Sequence, residues 1–302
     1  MKTWAEFAAF RVLMSFFAVL PRSWCLGFGR ALGTLAFRWD RHHRRIALAN
    51  LRQAFGGEKS PAELRMIALD SFRRFGGTVA DIFKLFHWGP ADIAKLIDVE
   101  GREILAEAVA EGKGVLVFSA HIGNWEIGSP VISEAGTFSV IARALDNPRL
   151  DRALLEFREG MGAHVIYKQQ AAKRILQALR DGEIVAVLVD QNVLRREAVF
   201  VDFFGRPAGT TPVLGAFHLR TGAPLLPVFC LPAAGNRYKL RILPPVAFVP
   251  GEDVGADVLK ITGICTKIIE TAIREDPSSW LWVHDRWRSR PKDEHDHQNQ
   301  IP

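Results

Sequence analysis

Residues 118–129, FSAHIGNWEIGS, set His121 five positions ahead of Glu126, with Gly123 and Asn124 between them, directly after the apolar run GVLV. An imidazole changes charge near neutral pH. A carboxylate on one ring nitrogen fixes its tautomer and stabilises the imidazolium, leaving the other nitrogen to take a proton from a hydroxyl. A chain reversal between the two residues would let Glu126 reach back to the ring, so the spacing predicts a His121–Glu126 dyad. The same H-x4-E spacing also arises by chance, and a histidine that only satisfies buried backbone at a strand end is the competing reading. Gly123 permits an unusual turn, and Asn124 suits the N-cap of a helix beginning at Trp125.

A hydrolase would need a nucleophile of its own. Ser119 precedes the histidine by two residues but lacks the G-x-S-x-G elbow. Cys25, Cys230 and Cys265 are far apart, with neither a catalytic setting nor metal-ligand spacing, so no metal site and no disulfide framework is expected. Direct attack by the hydroxyl of an acceptor asks less of these residues.

The elements that must position His121 alternate along the chain. Periodicity predicts a helix over 101–111, a strand over 114–118, a helix over 124–135, a strand over 138–143, a helix over 148–160, a strand over 164–167, a helix over 170–180 and a strand over 184–189. After a loop at 191–209 come a helix at 210–222, strands at 224–231 and 237–244, and a helix at 253–275. This is an α/β fold, a mixed sheet flanked by helices. Open α/β sheets bind ligands beyond the carboxyl ends of their strands, where His121 would lie. Upstream, SPAEL at 60–64 predicts a capping box at the start of a helix running to about residue 86.

The first 45 residues differ in character. AEFAAFRVLMSFFAVL (5–20) is apolar but stops at Pro21, short of the ~20 residues that a span needs. WCLGFGRALGTLAF (24–37) follows, and then the basic cluster RWDRHHRR (38–45). Two apolar helices followed by arginines predict a membrane-associating anchor at 1–45, ahead of a catalytic domain at 46–291 and a polar tail at 292–302. An ordinary buried helical hairpin is the alternative. In a chain of 302 residues, the net charge of +6 and a pI near 9.4 point to anionic partners without choosing among them. The basic residues carry no nucleic-acid signature.

Five ordered motifs resemble those of the bacterial lipid A biosynthesis (late) acyltransferases, within the lysophospholipid acyltransferase superfamily: AHIGNWE, VIARALDNPRLD (140–151), VLVDQN (187–192), FVDFFGRPAGTTP (200–212) and WVHDRWRSRP (282–291). NLRQAF at 50–55 is similar as well. The resemblance implies transfer of a fatty acyl group from a thioester on acyl carrier protein or coenzyme A to a hydroxyl of a membrane lipid or glycolipid, such as a lipid A precursor. It implies no bound cofactor and a place on the cytoplasmic face of the bacterial inner membrane.

Carried onto this chain, the resemblance makes His121 the base and Glu126 its orienting partner. Arg143 is expected to hold a phosphate or the developing oxyanion, and Asp190 and Gln191 to bind acceptor hydroxyls or position Arg143. Asn124 and Arg206 complete the expected binding set. His284, Arg286, Arg288 and Arg290 are expected either to dock acidic carrier protein or headgroups or to form a solvated face. A non-catalytic, membrane-associated lipid-binding protein is the alternative function.

Overall fold

In the computed structural model, which describes residues 2–168 and 171–292, helices and a central sheet form one mixed α/β architecture. Four helices come first: α1 (Lys2–Val19), α2 (Arg22–Trp39), α3 (Arg41–Phe55) and α4 (Pro61–Leu85). The Ser60 capping box is present, with Glu63 accepting from the Ser60 amide at 2.8 Å and Ser60 Oγ accepting from the Glu63 amide at 3.3 Å. The basic cluster runs into α3, so residue 45 lies inside a helix whose Leu51 and Phe55 are buried in the main core. The tail expected at 292–302 lies, from residue 293 onward, outside the described residues.

Helices α2 and α4 pack backbone to backbone. A Cβ on Gly29 would sit 2.3 Å from the Gly76 carbonyl, and one on Gly33 would sit 2.1 Å from that of Phe72. Arg22 at the start of α2 donates to both carboxylate oxygens of the fully buried Asp81 in α4, at 2.6 and 2.7 Å. No described helix is long and apolar enough to cross a membrane.

The sheet contains β1 (Ile97–Glu100), β2 (Val115–Ser119), β3 (Phe138–Ala142), β4 (Ala163–Tyr167), β5 (Ile184–Leu188), β8 (Leu225–Ala233) and β9 (Arg237–Ile242), in the order β1-β9-β8-β2-β5-β3-β4. β8, β2, β5, β3 and β4 are parallel, and β9 joins β8 antiparallel. The central strands read VLVFS and IVAVL because both of their faces are covered, which removes the in-out alternation of an exposed sheet. The connecting helices are α6 (Arg102–Ala110), α8 (Pro148–Gly160), α9 (Ala171–Arg180), α10 (Val213–Thr221) and α11 (Val254–Glu275), with short α5 (Pro90–Ala94) before β1.

Two expectations need correction. The helix expected over 124–135 is a turn at 125–128 followed by the short α7 (Ser129–Ile132). Pro130 cannot donate to the carbonyl of residue 126, so a helix cannot run through it and instead restarts with the proline in its first turn. The loop expected at 191–209 contains a hairpin of β6 (Val199–Phe203) and β7 (Arg206–Thr210), closed by Phe204 and Gly205, both at positive φ.

Candidate active site

β2 and β5 are neighbours in parallel register, with Ser119 opposite Leu188. Two residues beyond each of these positions stand His121 and Asp190, side by side at the carboxyl edge of the sheet. Asp190 Oδ1 lies 2.8 Å from His121 Nδ1, and its Oδ2 accepts from the His121 amide at 2.9 Å and from the Trp280 indole at 2.7 Å. Burial opposes charge on this carboxylate, but the imidazole and these hydrogen bonds outweigh it and hold the pKa at about 2. For His121, burial alone would lower the pKa. The charge of Asp190 and its hydrogen bond reverse that and raise it, with a smaller push from Glu126.

With Nδ1–H donated to Asp190, the lone pair of the ring is on Nε2, where the Gln191 side-chain amide nitrogen lies 3.3 Å away. The imidazole therefore presents a basic nitrogen, held by a buried carboxylate, on a ring that keeps 17% of its side-chain surface.

The acid that orients the ring is Asp190, and the pairing expected from H-x4-E does not form. The two oxygens of Glu126 accept from Arg158 of α8, Oε2 from Nε at 2.9 Å and Oε1 from Nη2 at 2.6 Å, and no hydrogen bond joins Glu126 to His121. The physical reason lies in the turn. Gly123 has φ +63°, and a Cβ there would meet the Cys230 carbonyl at 2.2 Å, so the chain presses against β8 and turns away before residue 126. Gly123 N donates to Ser279 O and Asn124 N to Cys230 O.

The C-terminal segment supplies a wall that local sequence reading misses. Ile122 pairs with Trp280 in an isolated antiparallel bridge, and Leu281 N donates to His121 O. Ser71 of α4 holds the Trp280 carbonyl at 2.7 Å. His284 and Arg286, expected on a docking surface or solvated face, instead support the site from inside. His284 Nε2 accepts from the Asn192 amide at 2.9 Å, and burial pushes its pKa down. Arg286 is buried, donates to Gly209 O and Thr210 Oγ1, and lies over the Phe203 ring, which ties the β6–β7 hairpin to the site. Burial brings its pKa down to about 10.

The remaining expected residues divide. Asn124 is fully buried, donates to the Tyr238 hydroxyl at 3.3 Å and lies beneath the site. Arg143 is exposed and pairs with the still more exposed Asp146, while Arg206 reaches Gln53 at 3.3 Å. Neither lines a cavity at His121. Nothing in the local pattern of α8 marks out Arg158, which the fold brings to Glu126.

Two cavities meet at Trp125, whose ring stands edge-on to His121 with centroids 4.8 Å apart. One has His121 in its wall and extends to α2 and α4. The other runs between the sheet and α7 and is lined mostly by apolar side chains such as Ile132, Phe138, Val140, Leu188 and Val228, with Glu126 and Arg158 at its polar part. Burial pushes the thiol of Cys230, in the wall of this second cavity, up to about 12, which leaves it no thiolate near neutral pH. Among the described residues no cluster of His, Cys, Asp or Glu could hold a metal.

The sequence model of bacterial lipid A biosynthesis acyltransferases matches residues 1–289. The lipid A biosynthesis lauroyltransferase of Escherichia coli K12 is 27% identical over 266 residues, covering 87% of this chain and 85% of that one. The lipid A biosynthesis palmitoleoyltransferase of the same organism is 26% identical over 265 residues, 87% and 84% of the two chains. A phosphatidylinositol mannoside acyltransferase of Mycobacterium tuberculosis is 26% identical over 234 residues, 75% of this chain and 71% of that one.

Proposed function

The chain belongs to the bacterial lipid A biosynthesis acyltransferase family, and on that premise we propose that it moves a fatty acyl group from a thioester donor to a hydroxyl of a membrane glycolipid, such as a lipid A precursor. The observation that carries the reading is His121, held at Nδ1 by Asp190 and set in the wall of one cavity beside an apolar second one. The apolar cavity suits the acyl chain, and the His121 cavity suits the acceptor.

In this reading the acceptor hydroxyl displaces the Gln191 amide from Nε2 and gives its proton to that nitrogen as its oxygen bonds to the thioester carbonyl carbon. The Asp190 carboxylate stabilises the imidazolium that results. Collapse of the tetrahedral oxyanion breaks the carbon–sulfur bond, and Nε2 returns the proton to the departing sulfur. The amides of Gly123 and Asn124 are already paired. The next N–H groups along the turn, those of Trp125 and Glu126, have no hydrogen-bond partner among the described residues and are our candidates for the oxyanion. Arg158 adds a cation at the rim of the apolar cavity.

The donor is acyl carrier protein or coenzyme A, and the protein works at the cytoplasmic face of the inner membrane. Trp24, Phe28, Leu32 and Leu35 of α2 and Trp4, Val12 and Phe16 of α1 are exposed and form the apolar face that meets the bilayer.

Purified protein, a labelled acyl thioester and a lipid A precursor test the proposal. The native chain transfers the label, and His121→Ala loses about 10²- to 10⁴-fold in rate. Equal turnover by native and variant proteins would defeat the assignment of the histidine, and no transfer by the native chain would defeat the function.

A further inference from the structure

The turn that follows His121 is held by two backbone contacts and two side chains. Gly123 N and Asn124 N are taken by the carbonyls of Ser279 and Cys230. Thr78 of α4 donates its hydroxyl to Gly123 O at 3.2 Å, and Nδ2 of Asn124 donates to the Tyr238 hydroxyl of β9 at 3.3 Å. Tyr238 in turn donates to Asp81 Oδ2 at 2.7 Å, the carboxylate that also holds Arg22. Asn124, Tyr238 and Asp81 are all buried, and none of them takes part in the proton transfers at His121.

The direction of each bond in this chain is fixed. Asp81 is paired with a guanidinium and only accepts. Burial and the charge of Asp81 raise the pKa of the Tyr238 phenol, which keeps its proton and gives it to that carboxylate. The phenol oxygen is left as an acceptor. Asn124 must then turn its NH2 group toward Tyr238, and its Oδ1 is left buried with no hydrogen-bond partner among the described residues. Native proteins pair most such groups, because an unpaired one has lost its water for nothing. A partner stands close by in the sequence. An asparagine ahead of a helical turn ordinarily accepts through Oδ1 from the amide two or three positions on, here Glu126 or Ile127.

We propose that Tyr238 is a positioning residue for acyl transfer: by holding Asn124 through Nδ2, with its own hydroxyl aimed by Asp81, it keeps Oδ1 from capping the Glu126 amide and leaves that N–H for the oxyanion. The inference rests on the acyl-transfer reading and deepens it, since it gives the turn a reason to stay uncapped.

The fold builds this restraint from two elements. Thr78 and Asp81 stand one turn apart on the same face of α4, so one helix fixes both the Gly123 carbonyl and the hydroxyl that holds Asn124. β9 pairs with β8, whose Cys230 carbonyl takes the Asn124 amide, so the backbone and the side chain of Asn124 are bound by adjacent strands.

Tyr238→Phe removes one oxygen and leaves Arg22 on Asp81, and thermal melting checks that the variant is folded. With a labelled acyl thioester and a lipid A precursor, kcat should fall about 10- to 100-fold while KM for either substrate changes less than about threefold. The midpoint of the pH profile should stay at the native value, because His121 and Asp190 are untouched. Adding Asn124→Ala deletes the group that caps, so the double variant should turn over about three- to tenfold faster than Tyr238→Phe alone. Asn124→Ala by itself should lose less than Tyr238→Phe. A tyrosine that only supports the fold would give losses that add.

A readout that needs no turnover is hydrogen exchange at the Glu126 amide, followed by mass spectrometry on the full chain in detergent. Capping should slow exchange in Tyr238→Phe by at least about tenfold relative to native protein, and Asn124→Ala in that background should make it fast again. If the native chain transfers no acyl group, slower exchange in Tyr238→Phe still upholds the restraint on Asn124 while the function reading falls. Equal or faster exchange overturns the proposal. Where the native chain does transfer, so does a native kcat in Tyr238→Phe, or losses that add in the double variant.

Discussion

His121 Nδ1 stands 2.8 Å from Oδ1 of Asp190, a residue 69 positions away along the chain and adjacent only because β2 and β5 run parallel in register. Burial alone would discharge the ring, and this contact keeps it basic. The carboxylate is in turn fixed by Trp280 and by the His121 amide. The base therefore depends on three segments of chain.

Glu126 and Arg158 form a separate unit, with side chains only 13% and 18% exposed. Glu126→Gln should cost about 2–3 kcal/mol of stability, because it leaves a largely buried guanidinium without its counter-charge. Replacing both partners, as in Glu126→Gln with Arg158→Met, should restore part of that loss. Chemical denaturation of the two single variants and the double variant measures this. Additive losses would show that the pair is not coupled.

The apolar cavity should set acyl chain length. Ala186 of β5 and Val140 of β3 line it, and enlarging either to Leu or Phe fills volume that the chain would occupy. Product mass spectrometry with a mixture of acyl donors should show a shift of at least one two-carbon step toward shorter chains. An unchanged product distribution in a folded variant would place the chain elsewhere.

Membrane association should be tested by point substitution, because α2 is built into the core through its glycines and through Arg22–Asp81. Removing the first 40 residues would leave Asp81 buried without its partner. Trp24→Glu with Phe28→Glu should instead cut sedimentation with anionic vesicles at least about tenfold, since each removes an interfacial aromatic and adds repulsion. Trp24 is exposed, whereas Phe28 packs edge-on against Phe16 and the buried Phe17, so thermal melting must show that the double variant is folded. Unchanged vesicle binding would move the contact face away from α2.

Much of this frame is legible in the chain. The Ser60 capping box, the proline at the start of α8, the apolar runs of β2 and β5 and the long α11 follow from local chemistry, and the structure has all of them. The placement of His121 and Asp190 at strand ends is legible too. The partnership between them is not, because it depends on which strands become neighbours.

H-x4-E drew the carboxylate from the nearest sequence position, whereas Gly123 sends the chain against β8 and Glu126 toward Arg158. The β6–β7 hairpin did carry a signal, the alternation in VFVDF before Phe204-Gly205, which the glycine and proline content of the segment masked. Trp280 has no local mark of any kind. Its role exists only once the C-terminal segment crosses the His121 turn.

The pH dependence of kcat/KM for acyl transfer, in native protein, Asp190→Asn and Glu126→Gln, addresses the base and its partner together. A general base works unprotonated, so activity rises with pH as His121 loses its proton. In native protein that rise should be centred above the ordinary histidine value of 6.5. Asp190→Asn leaves burial in control, so its midpoint should fall below that value while the plateau drops about 10²- to 10⁴-fold. Glu126→Gln should move the midpoint only slightly downward. A native-like midpoint in Asp190→Asn, together with a large downward shift in Glu126→Gln, would contradict the account and return the orienting role to Glu126.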